Sequence, residues 1–322
     1  MSSTGGRVLY TYSLDKCDVQ DKTKLADFRK ARAEWVDLLE KDPLHSVSRQ
    51  LSGLVWQDAV FRLFNEAWRI EDPAQPSGVT APLLAEALVN GYVANLVLGV
   101  GRLTDKADYG KSGARNVVSL KRLVEEIKSK RDLITREIFV CYDGLVYDVN
   151  TIPPPSRRGS GGFIGVEIGG PFDWSTPTLL HEHFDGLSGV DPSARSRTDT
   201  IADAAFDEIE TLLSCPEIEK LRELRNKVIA HAADPISRAH LSSFGFKLQE
   251  AKVALHALCW AYHRVQINLL WNSGGGVMPI PQFDIFDRMD ISLLSQAQTS
   301  GLPPFWQQVV AERERWVKEP PP

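Results

Sequence analysis

The segment Arg225-Asn226-Lys227-Val228-Ile229-Ala230-His231 places a guanidinium, a carboxamide and an imidazole inside an amphipathic helix whose apolar face is Leu221, Leu224, Val228 and Ile229. Those are the groups that phosphodiester chemistry needs when no metal takes part. His231 is the member that titrates near neutrality, so it can take or give a proton. Arg225 carries a planar donor fork matched to phosphate oxygens, a geometry that Lys227 cannot reproduce. It would stabilise the negative charge that builds on phosphorus in the transition state. Asn226 can orient the imidazole or the phosphate by hydrogen bonding. The predicted catalytic set is therefore Arg225, Asn226 and His231, with Lys227, Arg222 and Arg102 as substrate-binding cations. The plainer alternative is that arginine and histidine close a helix, where the macrodipole favours cations by about 0.3–1 kcal/mol each.

Helical geometry sets a condition on this chemistry. At about 100° per residue, the steps from Arg225 to His231 leave the two side chains about 120° apart around a straight helix and roughly 9 Å apart along it. A single ideal helix does not aim both at one phosphate. The site needs a distorted helix end near Ala230–Ala233, an arginine curling round the helix, or a second copy of the motif.

The elements that must position these residues are mostly helical. Apolar periodicity predicts helices over about 22–41, from Pro43 to before Asp72-Pro73, and over 81–104 with Thr80 as N-cap. Further helices are expected over 117–135, 199–213, 214–232, 243–271 and 303–317. Ser214 and Glu217 have the spacing of a capping box for the motif helix, and Asn272 and the glycines after it read as a helix stop. Gly91, Gly99 and Gly101 cost the third helix roughly 1 kcal/mol each relative to alanine, which close helix–helix approach would offset. Around Asp143-Gly144 two readings stay open, a hairpin of 139–142 with 145–147 or a helix that turns there. Residues 151–197, rich in proline and glycine, read as an irregular insertion open to short strands around Phe163–Ile168 and Thr176–Phe184. The expected organisation is a flexible N-terminus (1–20), an all-α up-and-down helical bundle over 21–275 that contains the insertion, and a Pro-interrupted extension over 276–322.

Composition narrows the classes. Hydrophobic residues at 43% and charged residues at 25% suit a globular core that needs no disulfides. A net charge of −5 argues against a general coater of duplex DNA but leaves room for a local basic site. The four scattered cysteines, Cys17, Cys141, Cys215 and Cys259, form no C-x-x-C pair and suit a reducing compartment, so a cytoplasmic location is expected. The start lacks a signal-peptide pattern. The charge-free run Ala87–Gly101 would extend roughly 22 Å as helix against a hydrocarbon core of about 30 Å, so a buried central helix is expected rather than a membrane span.

Other motifs fail on spacing. Gly110-Lys111-Ser112 lacks the first glycine of a phosphate loop, and the 159–170 glycines do not fit G-x-G-x-x-G. His181-Glu182-His183 with Asp185 lacks a third metal ligand at predictable spacing. The acidic stripe Asp199, Asp203, Asp207 and Glu210 comes without any Glu-x-x-His, so a di-metal bundle is not expected and a solvated face is. No metal and no cofactor are predicted.

Arginine followed by a polar residue, with histidine a turn and a half later, resembles the HEPN superfamily (higher eukaryotes and prokaryotes nucleotide-binding). Gly101-Arg102-Leu103-Thr104-Asp105, followed by Asn116-Val117-Val118-Ser119-Leu120-Lys121-Arg122-Leu123, resembles its abortive-infection AbiU-like branch. Asn65-Glu66 and Phe139–Gly144 add to the likeness, which covers roughly residues 25–270. The resemblance implies an all-α HEPN bundle and a metal-independent endoribonuclease in an abortive-infection or toxin-like role. It implies RNA as substrate, a homodimer with a composite site, and an antitoxin-like or regulatory partner. The alternative is a non-catalytic HEPN module that binds RNA, nucleotide or a partner protein. Some relatives carry a modifiable tyrosine two residues after the histidine; here that position is Ala233. Arg102 has two readings, a salt bridge to Asp105 or a second phosphate-facing cation beside the motif helix.

Overall fold

A computed structural model describes residues 10–70, 82–106, 117–152, 169–229, 247–272, 274–278, 281–285, 287 and 296–316. The chain divides into two units, Met1–Pro279 and Ile280–Pro322. Among the described residues every regular element is helical, and the one β pairing is an isolated bridge between Thr135 and Thr200. The all-α expectation holds.

In the first unit, α1 (Lys22–Val36) starts at Asp21, whose carboxylate accepts from Lys24 N, and buries Leu25, Phe28 and Trp35. It runs on as a π-helical turn over Asp37–Lys41. Next come α2 (Val47–Arg69) and α3 (Pro82–Thr104), packed side by side. Gly99 sits where a Cβ would fall 2.5 Å from Leu54 Cδ2, so the expected close approach occurs there. The Thr80 cap lies outside the described residues. α3 is not buried throughout, contrary to expectation. Leu96, Val97, Val100 and Leu103 are in the core, whereas Leu83, Leu84, Leu88 and Val89 are exposed.

The predicted fourth helix is split. α4 (Leu120–Ser129) is capped by Ser119 Oγ, a 3-10 turn follows at Arg131–Leu133, and α5 (Arg136–Cys141) is capped by Thr135. The helical alternative therefore holds at 139–141, and the turn comes at Gly144 with φ +89°. The strand expectation over Thr176–Phe184 is overturned. α6 (Ser175–Ser188) occupies it and buries Pro177, Leu180, His181, Phe184 and Leu187 at helical spacing. Its start is organised by Asp173, whose carboxylate accepts from the backbone of Gly169, Ser175 and Thr176. Burial alone would raise the Asp173 pKa, yet hydrogen bonds from Thr176, Gly169 and the Ser175 hydroxyl bring it down to about 2. The other proposed strand, 163–168, lies outside the described residues.

α7 (Asp203–Leu213) carries the acidic stripe, which is not simply solvated. Lys128 of α4 reaches Asp207 and Glu210, Arg131 pairs with Asp203, and Arg264 pairs with Glu208. Asp199 instead joins a buried network. Arg136, with no exposed surface, donates to Asp199 Oδ2 and Asp185 Oδ1 at 2.7 Å each, to the His181 carbonyl and to Ser188 Oγ. Arg195 completes the set by pairing with Asp185. This ties α5, α6 and the segment before α7 together.

The predicted capping box at Ser214 is not formed. Cys215 is the N-cap of α8 (Pro216–Leu224), Pro216 begins it, and Ser214 Oγ donates back to the Glu210 carbonyl. α9 (Leu248–His263) ends the bundle and continues as a π turn over Arg264–Leu269. The helix stops at Trp271, with φ +43°, next to the expected stop at Asn272, and Arg32 caps the Leu270 carbonyl with two bonds of 2.8 and 3.1 Å. In the second unit, α10 (Gln296–Trp316) is the one regular element among the described residues.

Two imidazoles of α6, His181 buried and His183 half-buried, make stability pH-dependent. His181 bonds the Tyr147 carbonyl and His183 the Asn268 carbonyl, at 2.8 and 3.1 Å. Burial lowers the pKa of each, with only partial return from those bonds. The unfolded chain then takes protons more readily than the folded one. Stability is full above about pH 6.5 and declines as pH falls through that value toward the folded pKa. Urea unfolding of the whole chain should show a lower midpoint at pH 5.5 than at pH 7.5, and His181→Gln with His183→Gln should flatten that difference.

Candidate functional site

Arg225 is where α8 stops being an α-helix. Ile218, Leu221 and Leu224 anchor α8 in the core, and the chain then widens into a π-helical turn over Arg225–Ile229, with Val228 and Ile229 packed against the same core. Such turns are rare and often sit at functional sites. The straight-helix premise of the angular argument therefore fails at the motif's first residue. His231 lies outside the described residues, as do Ala230 and Ala233.

Gly101 and Asp105 hold the guanidinium in place. A Cβ at Gly101 would fall 2.5 Å from both Cδ and Nη1 of Arg225, so the arginine stem lies directly on the α3 backbone. Arg225 Nη1 donates to Asp105 Oδ1 at 2.7 Å, and Arg225 Nε donates to Asn226 Oδ1 at 3.1 Å. The Arg225 side chain keeps 17% of its surface exposed and that of Asp105 31%, so the pair is only partly shielded from water. Asp105 is fixed in turn, since its carbonyl accepts from Ser119 Oγ at 2.6 Å while that hydroxyl accepts from Arg122 N to cap α4. The segment 101–105 thus meets the arginine directly, and 119–122 fastens that segment from behind.

The remaining predicted residues divide. Asn226 is exposed beside Arg225, and Lys227 is half-buried in the same turn. Arg222, one turn earlier, gives Nη1 to both oxygens of Glu219, while its Nε is buried without a hydrogen-bond partner. Arg102 is exposed at the end of α3 and forms no ion pair among the described residues, so the bridge to Asp105 is not made. The carboxylate serves Arg225 instead.

Sequence reasoning missed Gly101 and Asp105 as site residues. Both stood in the Gly101–Asp105 string that carried the family likeness, but nothing in linear spacing told which cation Asp105 would meet. The metal reading of His181 and His183 finds no support, because each ring bonds a backbone carbonyl and no group of three or more His, Cys, Asp and Glu residues with metal-holding geometry occurs among the described residues.

A family model described as AbiU2, of the HEPN type, matches residues 51–259, more than half of the chain. That span runs from α2 into α9 and contains Gly101, Asp105, Ser119, Arg225 and His231. No curated protein and no solved structure matches the chain.

The Gly101 contact gives a test that separates site from fold. In Gly101→Ala, the new methyl group meets a flexible side chain, and alanine returns about 1 kcal/mol of helix propensity. The unfolding free energy should stay within about 1 kcal/mol of the parent, while the Arg225 Nε–H resonance moves because the guanidinium leaves Asp105 and Asn226. An unchanged resonance would mean that Gly101 does not seat the arginine.

Proposed function

The chain belongs to the AbiU2 family of HEPN proteins, and on that premise we propose that it is a metal-independent endoribonuclease with an abortive-infection role in the cytoplasm. The observation that carries this reading is the seated Arg225 guanidinium. It lies across Gly101, is held from one side by Asp105, and stands beside the exposed amide of Asn226 at a partly open surface.

In the proposed reaction the ribose 2′-oxygen attacks the adjacent phosphorus. The O2′–P bond forms, the P–O5′ bond breaks, and the products are a 2′,3′-cyclic phosphate and a 5′-hydroxyl. His231 takes the 2′-hydroxyl proton or gives a proton to the departing O5′, the other transfer falling to a second group. Arg225 offsets the charge that gathers on the phosphoryl oxygens. Asn226 orients the phosphate, and Arg102, Lys227 and Arg222 bind substrate. A phosphate must compete with the Asp105 carboxylate for Arg225. That same closure favours the second reading, a module that binds RNA, nucleotide or a partner protein without turnover.

The purified chain, incubated with total RNA in EDTA, should leave cyclic-phosphate ends. His231→Ala should slow cleavage by about 10²–10⁴-fold, and Arg225→Ala by about 10²-fold or more. Equal cleavage by parent and variants would assign the activity to a contaminant. Binding without cleavage by the parent would establish the non-catalytic module.

A homodimer is part of the proposal. The distal ends of α2 and α3 expose Phe64, Trp68, Ile70, Leu83, Leu84, Leu88 and Val89, with Ile70 at 65% and Leu83 at 81%. Several large apolar side chains exposed at one end of a helix pair suit an association site. Leu83–Thr104 is also long and apolar enough to cross a membrane by length and composition, but its second half is in the core of the bundle. Sedimentation at micromolar concentration should show a dimer, and Leu84→Asp with Leu88→Asp should give a folded monomer that cleaves poorly. A monomeric parent would remove the composite site.

A further inference from the structure

The Arg225–Asp105 pair lies within a wider concentration of positive charge. Lys106 follows Asp105 directly, and its ammonium is 3.9 Å from Glu125 and largely exposed. Lys121 lies two residues after Ser119, the hydroxyl that holds the Asp105 carbonyl, so the start of α4 is fastened beside the end of α3. Arg222 is on α8, one turn before Arg225. Asp105 is therefore the point around which three elements deliver cations.

These cations are short of partners. Lys121 is half-buried and makes no ion pair with any described residue. Burial lowers the pKa of its ammonium, and the charges of Lys106 and Arg222 lower it further, so the three are close enough to repel. Glu125 and Glu219 offset only part of that, the first at the limit of ion-pair distance and the second engaged with Arg222. Arg222 also keeps a buried Nε without a hydrogen-bond partner. In a chain with net charge −5, cations brought together with too few carboxylates suit an anion that arrives from outside.

Resting on the nuclease reading of the site, we infer that Lys106, Lys121 and Arg222 form a phosphate-binding track that leads an RNA backbone to Arg225. Lys106 and Lys121 act as point charges that bring successive phosphates along the junction of α3 and α4. Arg222, whose guanidinium is partly exposed and held by Glu219 alone among the described residues, fixes the phosphate next to the one that Arg225 holds. The track contacts backbone rather than bases, so it contributes affinity and register without sequence preference.

The test uses the full chain carrying His231→Ala, with fluorescein-labelled polyuridylate as probe and its affinity followed against salt. Each phosphate contact to single-stranded RNA contributes about 0.7 to the slope of log K against log salt. Lys106→Gln, Lys121→Gln and Arg222→Gln should each reduce the slope by about that amount and weaken binding severalfold at low salt. Lys252→Gln on exposed α9 surface is the control and should leave the slope alone. Thermal unfolding checks that the variants remain folded. Binding by the parent with all slopes equal to the control overturns the track but leaves the nuclease reading intact. Absence of RNA binding by the parent overturns both. Polyglutamate that competes as well as polyuridylate would overturn the phosphate assignment and make the surface a dock for an acidic protein.

Discussion

A guanidinium laid flat on a helix needs a carboxylate to hold it and no side chain beneath it. Arg225 obtains both from one turn of α3, Asp105 at 2.7 Å and the bare backbone of Gly101. The rest of the site follows from that contact. It fixes how closely α8 approaches α3 and requires Asp105 to stay put, which the Ser119 hydroxyl ensures from the α4 cap. The backbone departs from α-helical geometry at the same place, since the π turn begins at Arg225 itself. The partial exposure of the pair keeps it exchangeable. A fully buried pair would lose about 3–5 kcal/mol on removal of one partner, too much for an incoming phosphate to displace easily.

Other cations in the fold show the contrast. Arg136 directs all three of its guanidinium nitrogens to protein acceptors, and Arg32 uses Nε and Nη2 to close the end of the α9 extension. Arg29 bonds the carbonyls of Tyr12 and Tyr142. These are structural cations, enclosed because their acceptors are satisfied. Arg225 bonds Asp105 and Asn226 through Nη1 and Nε, and no described residue accepts from its Nη2. Arg102 and Lys121 make no ion pair among the described residues. What marks the candidate site is therefore incomplete satisfaction of cations, gathered where α3, α4 and α8 meet.

Much of the fold was legible because burial follows periodicity. Phe28 and Trp35 in α1, and Leu120 with Leu123 and Ile127 in α4, fall at helical spacing and are core residues. In the insertion, flanking prolines and glycines mask the regular set Pro177, Leu180, His181, Phe184 and Leu187, which is a helical face. The false capping box at Ser214 had correct spacing, but Pro216 sets the helix start and moves the cap to Cys215. At the site, residue types were legible and partners were not. Asp105 is three residues from Arg102, the local spacing that suggests a bridge, yet it pairs with a residue far along the chain. Only the packing of α8 on α3 decides that choice, and a π turn has no signature in periodicity.

α3 ties the site to whatever covers the other end of the helix. From Tyr92 onward it belongs to the core and delivers Gly101 and Asp105, while Leu83 to Gly91 stands in solvent with apolar side chains outward. Gly99 and Gly101 return their helix cost through contact with Leu54 and Arg225, but Gly91 has nothing within 4 Å. A mid-helix glycine costs about 1 kcal/mol relative to alanine, and no described residue near Gly91 offsets that. Close passage of a second helix, as in the proposed dimer, would be a packing use for it. A rigid helix seated there on its counterpart would set the distance between the two Arg225 sites, so the same glycine-bearing helix would govern both halves of a composite centre.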